Sequence, residues 1–166
     1  MMTRHAMTHS TTTYRHTTAL AVLDSAHAVL ERGWLQRAER VVRDAEGHLV
    51  VDGHGDVVRA CLVGAVAEGA RRYGGQRANA CGPALDALWA AYVNELRPFA
   101  DALGPVPAPM VRASRACELA QWNDAESRTR EQVLALVEAA QQRVRDELAA
   151  LQPTEATAES LETAQR

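Results

Sequence analysis

The stretch AQWNDAESRTREQVLALVEAA, residues 120–140, contains the clearest helix boundary in the chain. Thr129 stands three residues before Gln132, and this spacing is typical of a capping box, in which each side chain bonds the backbone N–H of the other residue. Apolar residues then recur at helical spacing from Val133 to Leu151, so the sequence predicts a final helix over 130–152. The preceding Trp122-Asn123-Asp124 is interpreted as a turn between two helices.

Outward from this boundary, the hydrophobic pattern predicts a mainly α fold: a single domain of about five helices with one small β-hairpin between the first and second helices. Gly33 ends the first helix, and Gly47 is placed to close the hairpin turn. The other predicted elements are a helix from Thr17 or Thr18 to Arg32, a hairpin of Val41–Val42 and Leu49–Val51, a helix from Asp56 to Tyr73, a helix that starts at Pro83, and a helix over 110–121.

The two ends of the chain show no helical periodicity. Residues 1–16 are rich in Thr, His and Met, and residues 153–166 open with Pro and are polar. Segments of this composition bury too little apolar surface to fold, so we predict disordered tails over 1–16 and 153–166. The single helical domain is predicted to span 17–152, with GPVPAP at 104–109 as a stiff linker inside it.

The composition limits the classes of partner. The net charge is −3, so no overall positive field draws the 166-residue chain to nucleic acid or anionic lipid. All 18 basic residues are Arg, and Lys and Ile are absent, which we interpret as the codon bias of a high-GC genome rather than as a sign of phosphate binding. No apolar run is long enough to span a membrane, and three cysteines with no signal peptide before them favour free thiols in the cytoplasm.

Three candidate catalytic or binding motifs also have structural explanations. Cys61 near a helix start could be a nucleophile with His48 or His54 as its base, but no hydrolase signature surrounds it, and we favour a packed core thiol. His48, His54 and Cys61 lack the spacing of a metal site, so we expect no metal and no cofactor. The basic stretch RRYGGQR at 71–77 is followed by too long an interval for a helix-turn-helix, and we do not expect nucleic-acid binding.

Several short motifs resemble an uncharacterised family of small actinobacterial and actinophage proteins. The motifs are Arg32-Gly33-Trp34-Leu35-Gln36, Cys61-Leu62-x-Gly64-Ala65, Trp122-Asn123-Asp124 and Thr129-x-Glu131-x-Val133-Leu134-x-Leu136. The resemblance spans about residues 18–140 and implies no activity, because the family has none assigned. It does imply that the candidate interaction or pocket residues form one structural unit: Trp34, Gln36, Cys61, Trp122, Asn123 and Asp124.

The sequence therefore favours a small non-enzymatic protein-interaction or accessory module. Its partner would be another protein, or a second copy bound through helix 130–152, where Val144, Leu148 and Leu151 form a thin apolar stripe with charged flanks. Two alternatives stay open: a thiol-dependent enzyme or ligand-binding protein that uses Cys61 and the Trp122-Asn123-Asp124 turn, and a DNA-binding regulator. If the first and last helices pack antiparallel, that turn lies beside Trp34, and Trp34 and Trp122 can meet over the second helix near Cys61. The turn is then chiefly a structural anchor.

Overall fold

Helices dominate the computed structural model, which describes residues 3–96 and 106–151. The described residues form five α-helices, as the sequence predicts, and a small antiparallel sheet that comes between α1 and α2 in the chain. The elements are α1 (Thr3–Arg32), β1 (Arg40–Arg43), β2 (Leu49–Val51), β3 (Asp56–Ala60), α2 (Leu62–Gly69), α3 (Arg77–Leu96), α4 (Pro109–Asn123) and α5 (Arg130–Leu151), with a 3-10 helix at Arg71–Gln76.

Helix α1 begins at Thr3 rather than at Thr17 or Thr18, so residues 3–16, which we predicted to be a disordered tail, are its first turns. One long-range contact and one local hydrogen bond stabilise this extension. The Nε2 atom of His16 lies 2.7 Å from a carboxylate oxygen of Glu147 in α5, and the hydroxyl of Thr17 donates to the carbonyl of Thr13 at 2.9 Å. The low helix propensity of Thr and His is thus offset by packing against a distant helix.

The predicted hairpin is confirmed, and the sheet gains a third strand. β1 pairs with β2 on one side and with β3 on the other, both antiparallel. We had predicted residues 56–60 as the first turn of a helix capped by Asp56, and this was wrong. The stretch DVVRA is rich in β-branched residues that fit a pleated strand. The pairing of β3 with β1 shifts register between Val41 and Val42, which is a β-bulge. The bulge interrupts the alternation of side chains between the two faces, the pattern by which a strand is predicted from sequence.

Helix α2 begins at Leu62, one residue after Cys61, which is its N-cap. Helix α3 begins at Arg77 rather than at Pro83, which lies inside the helix. The chain turns sharply at Gly74, whose φ of 53° is readily reached by glycine, so no long loop is needed between α2 and α3. The sequence RANAC then continues as helix, and Pro83 removes only one backbone hydrogen bond from it.

Helices α4 and α5 follow the predicted order, with one shifted boundary. The capping box at the start of α5 is confirmed, because Thr129 N–H donates to Gln132 Oε1 at 3.0 Å and Gln132 N–H donates to Thr129 Oγ1 at 3.3 Å. Helix α4 runs to Asn123, so Trp122 and Asn123 close the helix and Asp124 is its C-cap, rather than all three forming a turn. Residues 97–105, which include the first two residues of the predicted linker at 104–109, and residues 152–166, which include the predicted tail at 153–166, lie outside the described residues.

The core lies between α1 and the helices packed around it. α1 contacts α2, α3 and α5, and its buried side chains belong to one apolar cluster with theirs. The largest fully buried apolar side chains are Leu23, Leu30, Leu62, Leu88, Leu119, Val22, Val42, Val66, Val133, Val137 and Val144. Aliphatic packing therefore fixes the position of α2 and of the ends of α1, α4 and α5, where the candidate residues lie.

Gly64 gives a test of how closely α2 packs on the sheet. A Cβ atom at this position would lie 2.1 Å from the backbone oxygen of Glu39, which also accepts the N–H of Cys61 at 3.0 Å. Alanine normally stabilises a helix relative to glycine by about 1 kcal/mol. Here overlap with a fixed backbone atom outweighs that gain, so we expect Gly64→Ala to lower the free energy of unfolding by about 1–3 kcal/mol.

Chemical denaturation measures this effect. Ala135→Gly, at an exposed position of α5, is the control for helix propensity and is expected to cost about 1 kcal/mol. An unchanged or higher unfolding midpoint for Gly64→Ala would contradict the close approach of Glu39 to α2.

Candidate functional site

The first and last helices pack antiparallel, and this brings the candidate residues together. His16 lies beside Glu147, Gln141 donates to Asp24 at 2.8 Å, and the Nε atom of Arg130 donates to the carbonyl of Leu30 at 3.2 Å. Early residues of α1 therefore meet late residues of α5. As a result, the end of α1 lies beside the start of α5.

The side-chain amide of Asn123 is the centre of the candidate site. Its Oδ1 accepts from Trp34 Nε1 at 2.8 Å and from the N–H of Leu62 at 3.2 Å. Its Nδ2 donates to the carbonyl of Leu35 at 3.2 Å and to Asp124 Oδ1 at 2.8 Å. Asn123 is fully buried, and these four bonds use the whole hydrogen-bonding capacity of its amide. No donor or acceptor of this amide is left for a ligand.

The segment after Trp34 is tied to the end of α4. Gln36 Nε2 donates to two backbone carbonyls, those of Asn123 and Ala125, each at 2.8 Å. The N–H of Arg37 donates to Asp124 Oδ1 at 2.9 Å, and Arg37 has a φ of 63°, which is unusual for a residue other than glycine. Gln36 thus caps the carbonyl of Asn123 in the last turn of α4 and also bonds the loop that follows the helix. We call residues 34–37, 61–62 and 122–125 the Asn123 corner.

Trp122 is half-buried at the outer side of this corner. The guanidinium carbon of Arg128 lies 3.7 Å from the centre of its ring, and Arg128 Nε donates to the carbonyl of Trp122 at 3.2 Å. On another side, Tyr92 meets the indole edge-on at a centroid distance of 6.1 Å. We expected Trp34 and Trp122 to meet over α2. In the structure Trp34 reaches Asn123 instead, while Trp122 packs on Tyr92 and Arg128.

Cys61 lies at the edge of the corner as the N-cap of α2, not within the helix as the sequence pattern suggested. Its Sγ accepts from the N–H of Gly64 at 3.3 Å. Burial raises the pKa of the thiol, and the nearby carboxylates of Asp124 and Glu39 add to that shift, while hydrogen bonds from the backbone of Gly64 and Val63 oppose it. A buried, protonated thiol is a poor nucleophile. The structure therefore gives Cys61 a packing and capping role.

The other sequence motifs lie outside the corner. In RRYGGQR, Arg71 bonds Glu68 at 3.1 Å, Arg72 lies over the ring of Tyr73, and Arg77 donates to the carbonyl of Ala67. The interval that argued against a helix-turn-helix is shorter than predicted, because α3 starts at Arg77. His48 lies 3.6 Å from Asp44 at the hairpin turn. No group of three or more metal-binding side chains was found in residues 3–96 and 106–151.

Sequence reasoning missed several residues that hold the corner together. Arg130 donates to the carbonyls of Leu30 and Glu31 and so caps the end of α1, and Arg128 covers Trp122. Both arginines stand next to Thr129, so the capping box marked their location without revealing their partners. In a chain whose basic residues are all Arg, the residue type alone does not single out the two.

The fold and the corner define a small helical protein with a three-stranded sheet inserted between its first two helices. The chain belongs to DUF6197, a family of unknown function, whose model matches residues 15–143. The matched region contains every residue of the Asn123 corner. No curated protein and no solved structure matches the chain. Among the helices of the described residues, none combines the length and hydropathy that crossing a bilayer requires.

Replacing Asn123 tests whether the corner is an anchor. From the sequence, this side chain would make ordinary turn hydrogen bonds, but the structure gives it four partners. Asn123→Ala leaves Trp34 Nε1, the Leu62 N–H and the Leu35 carbonyl without this partner, and each buried unpaired group costs about 1–3 kcal/mol. We therefore expect a loss of about 3–5 kcal/mol in the free energy of unfolding, a large share of the roughly 5–15 kcal/mol typical of a domain.

Thermal and chemical unfolding provide the measurement. Asp124→Asn is the matched control, because its amide oxygen still accepts from Arg37 and Asn123, and it should cost less than about 1 kcal/mol. Trp34→Phe removes the indole N–H, so its effect should be non-additive with that of Asn123→Ala in a double-mutant cycle. Additive effects, or an Asn123→Ala protein as stable as the wild type, would refute the anchor.

The raised pKa of Cys61 predicts slow alkylation. In the folded protein, Cys61 should react with iodoacetamide near neutral pH far more slowly than exposed Cys117, and denaturation should abolish the difference. Because the folded pKa is raised, the neutral thiol stabilises the fold at neutral pH, and this contribution is lost as pH rises into the alkaline range.

Single-cysteine proteins separate the signals. Cys81→Ala/Cys117→Ala reports on Cys61, and Cys61→Ala/Cys81→Ala reports on Cys117, each followed by mass spectrometry over time. A folded Cys61 that reacts faster than the same thiol in denaturant would favour the thiol-dependent enzyme.

Proposed function

We propose that the protein is a non-enzymatic, cytoplasmic interaction module that binds an extended segment of a partner protein along the outer edge of β2. The observation that carries this proposal is the exposure of β2. Its three residues, Leu49, Val50 and Val51, are 51%, 37% and 62% exposed. Successive residues of a strand point to opposite faces, so both faces of β2 are uncovered at the edge of the sheet. The three free thiols are in keeping with a reducing cytoplasm.

The backbone of β2 is also open on its outer side. The N–H of Asp44 donates to the carbonyl of His48, and the N–H of Asp52 donates to the carbonyl of Arg40. Hydrogen bonds in an antiparallel pair alternate, so residues 48, 50 and 52 face β1. Leu49 and Val51 consequently direct their N–H and C=O groups away from the sheet. An added strand would find two donors and two acceptors in register.

The hairpin holds this edge in a fixed shape. Asp44 Oδ1 accepts the N–H groups of Glu46 and His48, at 3.1 and 2.7 Å, and Asp52 Oδ1 accepts the N–H of Arg40 at 3.0 Å. Arg43 closes the turn from the other side by donating to the carbonyl of Gly47. A preorganised edge loses little conformational entropy when a partner binds.

The charge around the edge selects the kind of partner. Residues 40–56 contain two arginines and four acidic residues, a net charge of −2 with histidine neutral. An apolar peptide with flanking Lys or Arg residues complements both the exposed valines and this charge. A second copy of the same hairpin would bring like charges together, so we assign the edge to a different protein.

Contacts within the chain bear on the sequence-based hypothesis of self-association through helix 130–152. Val144 is fully buried, Leu148 packs against the core, and Glu147 bonds His16. The apolar stripe near the end of α5 is therefore largely occupied by contacts within the chain. Val106, just before α4, and Met110 and Val111 in its first turn are also exposed, but a helix has no open backbone edge that would fix a partner's register.

Nothing comparable to the exposed edge of β2 supports the two alternatives, a thiol-dependent enzyme or ligand-binding protein that uses Cys61 and the Trp122-Asn123-Asp124 turn, and a DNA-binding regulator. The Asn123 corner uses its polar groups internally, and the thiol of Cys61 is buried and has a raised pKa. The arginines at 71–77 contact neighbouring residues of their own segment. An accessory protein that binds a partner needs neither a reactive group nor a basic surface.

Peptide selection tests the proposal with the full-length protein. Peptides selected from a displayed random library should carry alternating apolar residues flanked by Lys or Arg. Val51→Pro removes only an N–H that faces outward, and edge strands tolerate proline there. It should weaken binding by at least about tenfold, the equivalent of one lost hydrogen bond of roughly 1.4 kcal/mol.

Fluorescence anisotropy with a selected peptide measures the change. Val51→Thr is the control, because it keeps the N–H and a β-branched side chain, and its affinity should stay within about twofold of the wild type. Circular dichroism checks that Val51→Pro remains folded. Failure to enrich any sequence, or equal binding to Val51→Pro, would contradict strand addition. A dimer that Val51→Pro dissociates would assign the edge to a second copy instead.

A further inference from the structure

A cavity of about 350 Å³ lies between the first half of α1, the start of α3 and the start of α4, away from the Asn123 corner and from β2. Its walls are two facing helical stripes and the first residues of α4. The lining residues from α1 are Thr11, Tyr14, Arg15 and Thr18; those from the 3-10 helix and α3 are Tyr73, Gln76, Asn79, Ala80 and Pro83; the remaining two are Val106 and Arg112. This volume suits a small molecule rather than a peptide.

The side of α1 that lines the cavity changes from apolar to polar along the helix. Deeper in the protein, this side of the helix contributes buried aliphatic residues such as Ala19, Val22 and Ala26. From Thr18 toward the N-terminus, the positions that face the cavity carry hydroxyl groups and a guanidinium. Helical spacing puts these polar side chains where core residues would otherwise continue. Thr18 is buried and Arg15 is half-buried, whereas Thr11 and Tyr14 are exposed, so this polar stripe runs from the core to the surface.

Two arginines meet one carboxylate at the wall of the cavity. Asp86 is buried, and Arg112 binds it through two hydrogen bonds, Nε to Oδ1 at 3.0 Å and Nη2 to Oδ2 at 2.6 Å. Gly82 makes room for this arrangement, because a Cβ atom there would lie 2.9 Å from the guanidinium of Arg112. The structure also pairs Arg15 with Asp86, but at 3.8 Å, which is too long for a hydrogen bond.

The charge of the cavity is therefore unbalanced. Arg112 binds Asp86 in a bidentate pair, and none of the described residues that line the cavity is acidic. Arg15 and Arg112 share the single negative charge of Asp86, so the three groups carry a net positive charge beside the hydroxyl groups of Thr18 and Tyr14, and the side chain of Arg15 is 37% exposed. A guanidinium with adjacent hydroxyls is suited to a planar carboxylate or a phosphate.

We propose that this cavity is a binding site for a small organic anion that carries a carboxylate or phosphate group next to an apolar group. Arg15 binds the anionic group directly. Arg112 of α4 bonds Asp86 of α3 and so fixes the start of α4 against the cavity. Ala80 and Pro83 contact the apolar part. This function is separate from strand addition at β2 and does not depend on it.

Titration of the full-length protein with defined probes tests the site. The probes are inorganic phosphate, phenyl phosphate, benzoate and the neutral phenol, followed by backbone amide shifts in NMR spectra. Phenyl phosphate or benzoate should bind saturably, at least about tenfold more tightly than phenol or phosphate alone, and should shift amides of residues 11–18, 76–82 and 112. Such a difference corresponds to roughly 1.4 kcal/mol.

Arg15→Gln should weaken binding of the anionic aromatic probe by at least about tenfold, because it removes the charge and keeps most of the side-chain volume. Arg15→Lys should restore part of the affinity. Arg145→Gln is the matched control, because Arg145 makes a similar long ion pair with Asp24, at 3.6 Å, with 48% exposure, and it should leave binding unchanged. Unfolding midpoints verify that all three variants are folded.

Three results would overturn the proposal. The first is the absence of saturable shifts at these residues with either anionic aromatic probe. The second is equal loss of binding in Arg15→Gln and Arg145→Gln, which would show a general attraction of anions to surface arginines. The third is equal binding of phenol and benzoate. If phenol binds as tightly as benzoate, the cavity is an apolar pocket and the anion assignment is wrong.

Discussion

The buried amide of Asn123 joins three parts of the chain that are distant in sequence: the end of α4, the segment that follows α1, and the start of α2. A buried amide is stable only when its donors and acceptors are paired, since each unpaired group costs about as much as several favourable contacts supply. The four partners of Asn123 therefore fix one another's positions. The hairpin, the Cys61 cap and the antiparallel pairing of α1 with α5 all connect to this junction.

Much of the helical architecture could be predicted from local sequence. The capping box at Thr129, the stop at Gly33 and the turn at Gly47 each depend on residues within a few positions, and the structure contains all three features. The start of α1 was misjudged because the contact that stabilises it, between His16 and Glu147, joins residues 131 positions apart. Strand β3 was misjudged because its bulge broke the alternation and Asp56 resembled a helix cap.

The candidate residues were grouped correctly, but their bonding was not deducible. Trp34, Gln36 and Asn123 stood out through the motifs that resemble a family, and the structure brings them into direct contact. The pattern did not reveal that Asn123 would have four hydrogen bonds, because the partners come from separate helices and loops. The pair of Asp86 with Arg112 shows the same limit, since neither residue belongs to a recognisable motif.

The Asn123 junction also has a topological meaning. Its hydrogen bonds connect residues 89, 88 and 61 positions apart, so in the folded state it closes long loops of the chain, as a disulfide would. The three cysteines are free, and none takes that part. A crosslink made of hydrogen bonds differs from a disulfide in one respect: its strength does not depend on the redox potential of the surroundings. The chain thus joins its distant segments by a bond that reductants leave intact.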